Sequence, residues 1–464
     1  MTRPSLLALA LLSTTAVPGW AEGEPRPTIA ALKGLAAVTA LPASAIGRVA
    51  LGANLAVTGG IQTGTLRQAT LMPFAEQQQQ ALRDAFITDG NLAQLADGLG
   101  TTLGAAYLAR AHSLDRERFT SISPAVADLI AYANSTTGRD SNAGKYLFAN
   151  LTTDGKTAVD PELAAIVKDA GGAPDPFGRI YGKPGGTPGA NPYGDPRPFQ
   201  TEPFVLPVSG PDYFGVPADN TVYSRGPISN LSDSPSYPSG HTTYGFMGGI
   251  VLALLVPERY PEMIARAAEY GNSRILVSAH YAMDVLGGRT LATYDLAHLL
   301  ANDPAFMGRP LKNVAAMTSA GAPRVPVTIT DFQASLRAAR ADVVKSLEAA
   351  CGDTMAVCAR QDIGRFASRD AVMGFVAGTQ TYGLPAVHPE RVGTVEDVNQ
   401  LAPEAGHLLI AAFPKLSLEE ANRILTDTQG PGGGFLDDGS PFGVYSRLNL
   451  VAAGDRAAAM TATR

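Results

Sequence analysis

The sequence predicts a mostly α-helical protein, and three observations carry that expectation. Apolar residues recur at helical spacing, as at Leu82, Phe86 and Ile87 and again at Leu92, Leu95 and Leu99. Segments with the two-residue alternation of strands do not occur in numbers, and the chain has no internal repeat. Prolines stand where a helical first turn accepts them, at Pro124 and Pro161.

Taken in order, Pro25 to about Pro73 is rich in Ala, Leu and Gly with weak helical periodicity, and Phe74 to Asp115 is helical in pattern. Pro124 to Ala133 and Pro161 to Ala170 read as two further helices. Gly171 to Pro235 is crowded with Gly and Pro, whose fixed φ angles and missing amide donors forbid a long helix, so it reads as loop. His241 to Val256 is an apolar helix whose Gly245, Gly248 and Gly249 predict close packing. Pro261 to Ala301 reads as a long helical stretch broken near Gly271 or Gly287-Gly288. Beyond Asn302, Asp331 to Ala350, Thr394 to Phe413 and Ser417 to Thr426 are predicted helices, and Gly430 to Gly434 is glycine-rich.

The chain has 464 residues, 45% of them apolar and 17% charged, which places it among globular proteins. A formal charge of −6 and the lack of any Lys/Arg block argue against a nucleic-acid partner. Residues 1–21 resemble a removable secretory signal: Arg3, an apolar run from Ser5 to Val17, then Gly19 and Ala21 at the small positions before cleavage. No later stretch reaches the ~18 uncharged apolar residues of a membrane span. The expectation is a periplasmic or secreted protein with no stable membrane span. In an oxidising compartment Cys351 and Cys358 would form a local disulfide, and two thiols alone make no metal site.

Two clusters carry the chemistry. One is Pro238-Ser239-Gly240-His241; the other is Ser273-Arg274, five residues, His280, three residues, Asp284. Two of the six histidines fall here. On one helix, His280 and Asp284 would share a face. The carboxylate would then accept the Nδ1 proton and leave Nε2 free as a nucleophile. Arg274 offers a planar fork suited to phosphate oxygens. Ser239 and Gly240 stand where loop gives way to helix, a natural anion site, and His241 can protonate a leaving oxygen.

These clusters resemble the second and third signatures of the type-2 phosphatidic acid phosphatase superfamily, and within it the class A bacterial non-specific acid phosphatases, with vanadium haloperoxidases as relatives. The resemblance implies an all-α helical bundle over residues 75–303, flanked by an N-terminal helical segment, 22–74, and a mostly helical extension of unknown role, 304–464. It implies His280 as nucleophile, Asp284 as its orienting partner and His241 as leaving-group acid. Ser239, Gly240 and Arg274 would bind phosphate, and no metal or other cofactor is implied. The first signature is a Lys, six residues, then Arg-Pro. Arg197-Pro198 matches its second half, adding Arg197 to the phosphate binders, but Ala190 stands at the lysine position. Lys183 or Arg225 is the candidate replacement. Asp437-Asp438 beside Gly439 reads as a turn in preference to a cation site.

The expected activity is a metal-independent acid phosphatase acting on small phosphomonoesters through a phosphohistidine. The alternatives are a vanadate-dependent haloperoxidase, a phosphatase for lipid phosphates or pyrophosphates with Ile29 to Val57 touching a membrane, and a degenerate, non-catalytic phosphate-binding protein. Vanadate is a cofactor only in the first of these.

Overall fold

A computed structural model describes residues 26–66, 68–88, 92–113, 121–202, 206–220, 231–309, 328–360 and 363–462. The leader at 1–21 and Arg225 lie outside these residues. The fold is all-α: among the described residues the strands are one hairpin, β1 (Ser209–Pro211) and β2 (Pro217–Asp219), paired antiparallel.

The principal helices are α1 (Ile29–Leu35), α2 (Ala45–Gln62), α3 (Phe74–Asp84), α4 (Thr101–Arg110), α5 (Pro124–Asn150), α6 (Pro161–Asp169), α7 (Gly240–Leu255), α8 (Tyr260–Leu276), α9 (Ala282–Leu300), α10 (Phe332–Cys351), α11 (Arg369–Thr381), α12 (Leu418–Asp427) and α13 (Leu450–Ala462). Side-chain caps start many of them. Ser123 accepts from Val126 N at 3.3 Å with Pro124 at the first helical position, and Asp160 accepts from Leu163 N at 2.9 Å before Pro161.

Helix α7 is the centre of the molecule. It packs on α8 and α9 and against α5, and Met247 and Ile250 to Leu255 are fully buried. Each such side chain contributes about 1.5–3 kcal/mol of transfer free energy. The close packing predicted from its glycines is present. A Cβ on Gly245 would stand 2.1 Å from the Tyr270 ring, so only glycine lets α8 approach this near.

Three elements differ from the sequence reading, each for a physical reason. Helix α5 continues past Ala133 to Asn150. Residues 134–142 are polar with one glycine and have poor propensity, but Thr136, Thr137, Asp140, Ser141, Gly144 and Leu147 are buried against the bundle, and packing overrides propensity. The 261–301 stretch breaks at neither glycine. It breaks between Leu276 and Ala282, where Ser278 adopts left-handed φ 65°. The 394–413 segment is a run of short turns, Val398–Leu401, Pro403–Gly406 and His407–Ile410, because Pro403 cannot continue a helix. The Gly/Pro-rich 171–235 stretch is an ordered loop over its described part. The Asp175 carboxylate gathers the amides of Gly178, Gly185 and Asp195 at 2.7–3.0 Å, and single turns form at Pro176–Tyr181 and Pro198–Thr201.

One hydrophobic core runs from Ala31 to Ala457, so the N-terminal helices and the tail share the bundle's interior. Arg289 of α9 donates to the carbonyls of Thr379, Gln380 and Ser446 and ties the tail to the bundle. No single helix among the described residues is long and apolar enough to cross a membrane. Ile29–Ala43 and Ala45–Gln62 would pass only as a pair bent by 101°, and Leu32, Leu35, Val38, Leu51 and Ile61 in it are buried in the core. Cys351 and Cys358 are joined in a disulfide.

Candidate active site

His280 and Asp284 do not sit on one helix face, which corrects the sequence reading. His280 lies in the turn before α9, and its amide and that of Ala279 donate to the carbonyl of Arg274 at 3.2 and 3.0 Å. Asp284 is in the first turn of α9, where its Oδ2 accepts from the amide of Tyr281 at 2.8 Å. The pairing survives the change of backbone, since His280 Nδ1 is 3.3 Å from Asp284 Oδ2. Ser236 Oγ donates to the same oxygen and lies 3.4 Å from Nδ1.

The N-terminus of α9 is held from a distant part of the chain. The amides of Ala282 and Met283 donate to Thr58 Oγ1 and Asn54 Oδ1 of α2 at 3.1 and 2.9 Å. Across from it, Ser239 caps α7 by accepting from Thr242 N at 3.0 Å, while its own amide donates to the Asp284 carbonyl at 3.1 Å. A Cβ on Gly288 would stand 2.5 Å from the Ser239 carbonyl, so this glycine lets the two helix starts touch. The result brings His241 Nδ1 to 3.0 Å from His280 Nε2.

Arg197 completes the cluster. It is fully buried, and its guanidinium donates to the carbonyls of Ser234, Pro235 and Ala279 and to Ser234 Oγ. Its Nη1 also lies 3.0 Å from His280 Nε2. An arginine can only donate, so this contact makes Nε2 an acceptor and places the proton of His280 on Nδ1, facing Asp284. His241 Nδ1 must then donate in its own contact with Nε2. The network leaves the proton of His280 on Nδ1 and points the Nδ1–H of His241 at the Nε2 of His280.

The electrostatics follow from burial. Both imidazoles are held well below the ordinary histidine range, first by desolvation and then by nearby cations: Arg274, Arg197 and Lys145 for His241, and Arg197 ahead of Lys145 and Arg274 for His280. Burial pushes the Asp284 carboxyl up to about 7 against its hydrogen bonds from Ser236 and Tyr281. Burial likewise lowers Arg197 to about 10. Arg274 is buried in α8, its Nη2 3.3 Å from the Ala81 carbonyl and its guanidinium 5.0 Å from the Tyr270 ring.

His280, His241, Asp284, Arg197, Ser239 and Gly240 thus meet, and Arg274 acts on His241 from α8. Lys183 sits in the loop after Tyr181, with no described side-chain contact to the cluster; its amide donates to the Gly178 carbonyl. Asp437 accepts from Gly433 N and lies 3.6–3.7 Å from Arg391 and Arg447, and Asp438 accepts from Ser440 N in a turn. The sequence reading gave no role to Ser236, which donates to Asp284, or to Lys145 of α5, whose charge acts on both histidines; no local pattern marks either.

Parts of this sequence are similar to known proteins. The chain is 41% identical over 78 residues to a non-specific acid phosphatase of Salmonella typhimurium, covering 17% of this chain and 31% of that protein. It is 34% identical over 84 residues to an acid phosphatase of Zymomonas mobilis, 18% of this chain and 32% of the relative. It is 38% identical over 78 residues to a lipid A 1-phosphatase of Rhizobium johnstonii, 17% of this chain and 31% of the relative. The chain therefore spans about a third of the length of the curated relatives it matches. Residues 191–302, which hold Arg197, both histidines, Arg274 and Asp284, match the family model of the PAP2 superfamily.

Proposed function

We propose that this protein is an exported phosphatase that hydrolyses phosphomonoesters through a phosphohistidine at His280. The observation that carries the proposal is the 3.0 Å contact between His241 Nδ1 and His280 Nε2, with Asp284 behind the second ring. A phosphoryl group entering between the rings would have its nucleophile on one side and its proton donor on the other, the in-line arrangement that phosphoryl transfer needs.

In the first step the Nε2 lone pair attacks phosphorus, the P–O bond to the alcohol breaks, and protonated His241 gives its proton to the leaving oxygen. Asp284 holds the Nδ1 proton and stabilises the cationic ring. In the second step water attacks the phosphohistidine, His241 takes its proton, and the P–N bonding pair returns to Nε2. Arg197, Arg274, Ser239 and the Gly240 amide are the donors for the phosphoryl oxygens. Because burial holds His280 below the ordinary range, it stays neutral into acid solution, and kcat/KM should peak on the acid side of neutral.

Export is supported by the leader-like residues 1–21 and by the Cys351–Cys358 disulfide. A lipid-phosphate substrate is the second reading, favoured by the similarity to lipid A 1-phosphatases of two Rhizobium species. The test is p-nitrophenyl phosphate hydrolysis with an acid-labile phosphoenzyme trap. His280→Ala should lose at least ~10³-fold in kcat and all trapped phosphate, whereas EDTA should leave the wild type unchanged. More than a tenth of the activity remaining in the variant would sink the mechanism. Side-by-side turnover of a lipid phosphate separates the two substrate classes.

A further inference from the structure

Helix α5 forms a further wall against Gly240, at the start of α7. Its Lys145 reaches Gly240 so closely that a Cβ there would stand 2.9 Å from Nζ and 3.4 Å from Cε. Ser141, one turn earlier on the same face, would meet that Cβ at 3.4 Å through its hydroxyl. Neither group has a partner: the ammonium makes no hydrogen bond or ion pair with any described residue, and the Ser141 Oγ is buried with no hydrogen bond. A half-buried cation and a buried hydroxyl left unsatisfied side by side are costly in an empty protein. They become favourable when an anion arrives.

We propose that Lys145, flanked by Ser141, is a phosphate-binding group of this site and supplies from α5 the cation that Ala190 cannot. The proposal rests on the phosphatase reading and names a residue outside the segment that carries the family similarity. Its geometry fits the role. The Gly240 amide is the first of α7, where the helix N-terminus favours negative charge, so Lys145 and those amides would face the same phosphoryl oxygens. Arg197 faces Lys145 from the 191–200 loop, Asp284 from α9, His241 from α7 and His280 from the turn before α9. Burial and the Arg197 charge bring the Lys145 ammonium down to about 7. That is the state of a cation awaiting its counter-charge, and a bound phosphate would raise it again.

The experiment is orthovanadate titration of the full chain, together with p-nitrophenyl phosphate kinetics, for the wild type, Lys145→Met, Lys145→Arg and Lys183→Met. Lys145→Met should weaken orthovanadate binding and raise KM by about 10–100-fold, with kcat/KM down ~10²–10³-fold. Its thermal midpoint should be no lower than the wild type's. Lys145→Arg should recover to within about tenfold, since it restores the charge. A Lys145→Met protein within twofold of wild type in both measurements overturns the proposal, as does a loss confined to Lys183→Met. If the wild type binds orthovanadate but turns over no ester, the phosphatase reading falls while the binding shift still decides Lys145. If it binds no orthovanadate, both readings fall.

Discussion

Two buried cationic groups of this protein are built on opposite principles. On α8, Arg266 is fully enclosed and meets Asp97 at 2.6 Å and Asp84 at 3.0 Å, with Glu269 at 3.4 Å, and Arg365 of the tail closes the cluster on Asp97 and Glu269. Burial works against the Arg266 charge, but three carboxylates more than offset it and hold it well above the ordinary range. Around the histidine pair, Arg197 meets carbonyls, a hydroxyl and a ring nitrogen, Lys145 makes no hydrogen bond or ion pair with a described residue, and burial pushes both down. A cation matched by carboxylates is finished and serves the fold. A cation desolvated without one keeps its field for a ligand, which is how active sites are poised. The difference teaches where to look for binding energy: in Arg197 and Lys145, which the fold leaves without a carboxylate in an ion pair among the described residues.

The comparison can be broken by substitution. Removing Arg266 strands Asp84 and Asp97 in the interior, so Arg266→Met should destabilise the protein by about 3–5 kcal/mol. Urea denaturation measures it, and KM of the folded fraction should stay within about threefold of wild type. A large KM change with normal stability would erase the distinction between the two groups. Asp284→Asn should act in the reverse sense. It disturbs the His280 tautomer and should lower kcat by ~10²–10³-fold, read in the p-nitrophenyl phosphate assay. Yet the empty protein should become more stable at pH 7. The folded carboxyl titrates near 7 and the unfolded one near 3.8, so the folded state binds more protons between these values and wild-type stability falls as pH rises through that window. The variant should lack this fall when thermal midpoints are compared at pH 4 and pH 7. The smallest effect belongs to the tail: the Cys351–Cys358 bridge closes only a short loop, so reducing it should lower stability by on the order of 2 kcal/mol with KM unaltered.

Much of the site was legible because its parts are close in sequence and chemically unusual together. Ser239-Gly240-His241 and the His280–Asp284 spacing are such parts, and the Ser239 N-cap follows from local residues. The backbone beneath them was not legible. Four-residue spacing suits a helix face equally well whether or not His280 belongs to the helix. Only the left-handed Ser278, the loop bearing Arg197 and the side-chain oxygens of Asn54 and Thr58, which accept from the first amides of α9, decide that it stands in a turn. Lys145 was hidden for the same kind of reason. Polar residues 134–142 read as the end of a helix, and it is burial against α7, α9 and α10 that carries α5 onward to Asn150. The 394–413 segment failed the opposite way, since apolar spacing around Pro403 imitated a helix that the missing amide cannot support.

By itself, then, the sequence determined the all-α class and the chemical character of the two clusters, because helical periodicity, capping residues and paired His and Asp are local properties. The tertiary structure decided which groups share a pocket: it set the His241–His280 contact, assigned the proton on Nδ1 through Arg197, and brought α5 against Gly240. Those outcomes depend on which helices can approach one another, and that is settled by glycine contacts such as Gly288 on Ser239 and Gly245 on Tyr270, far apart along the chain and adjacent only once it is packed.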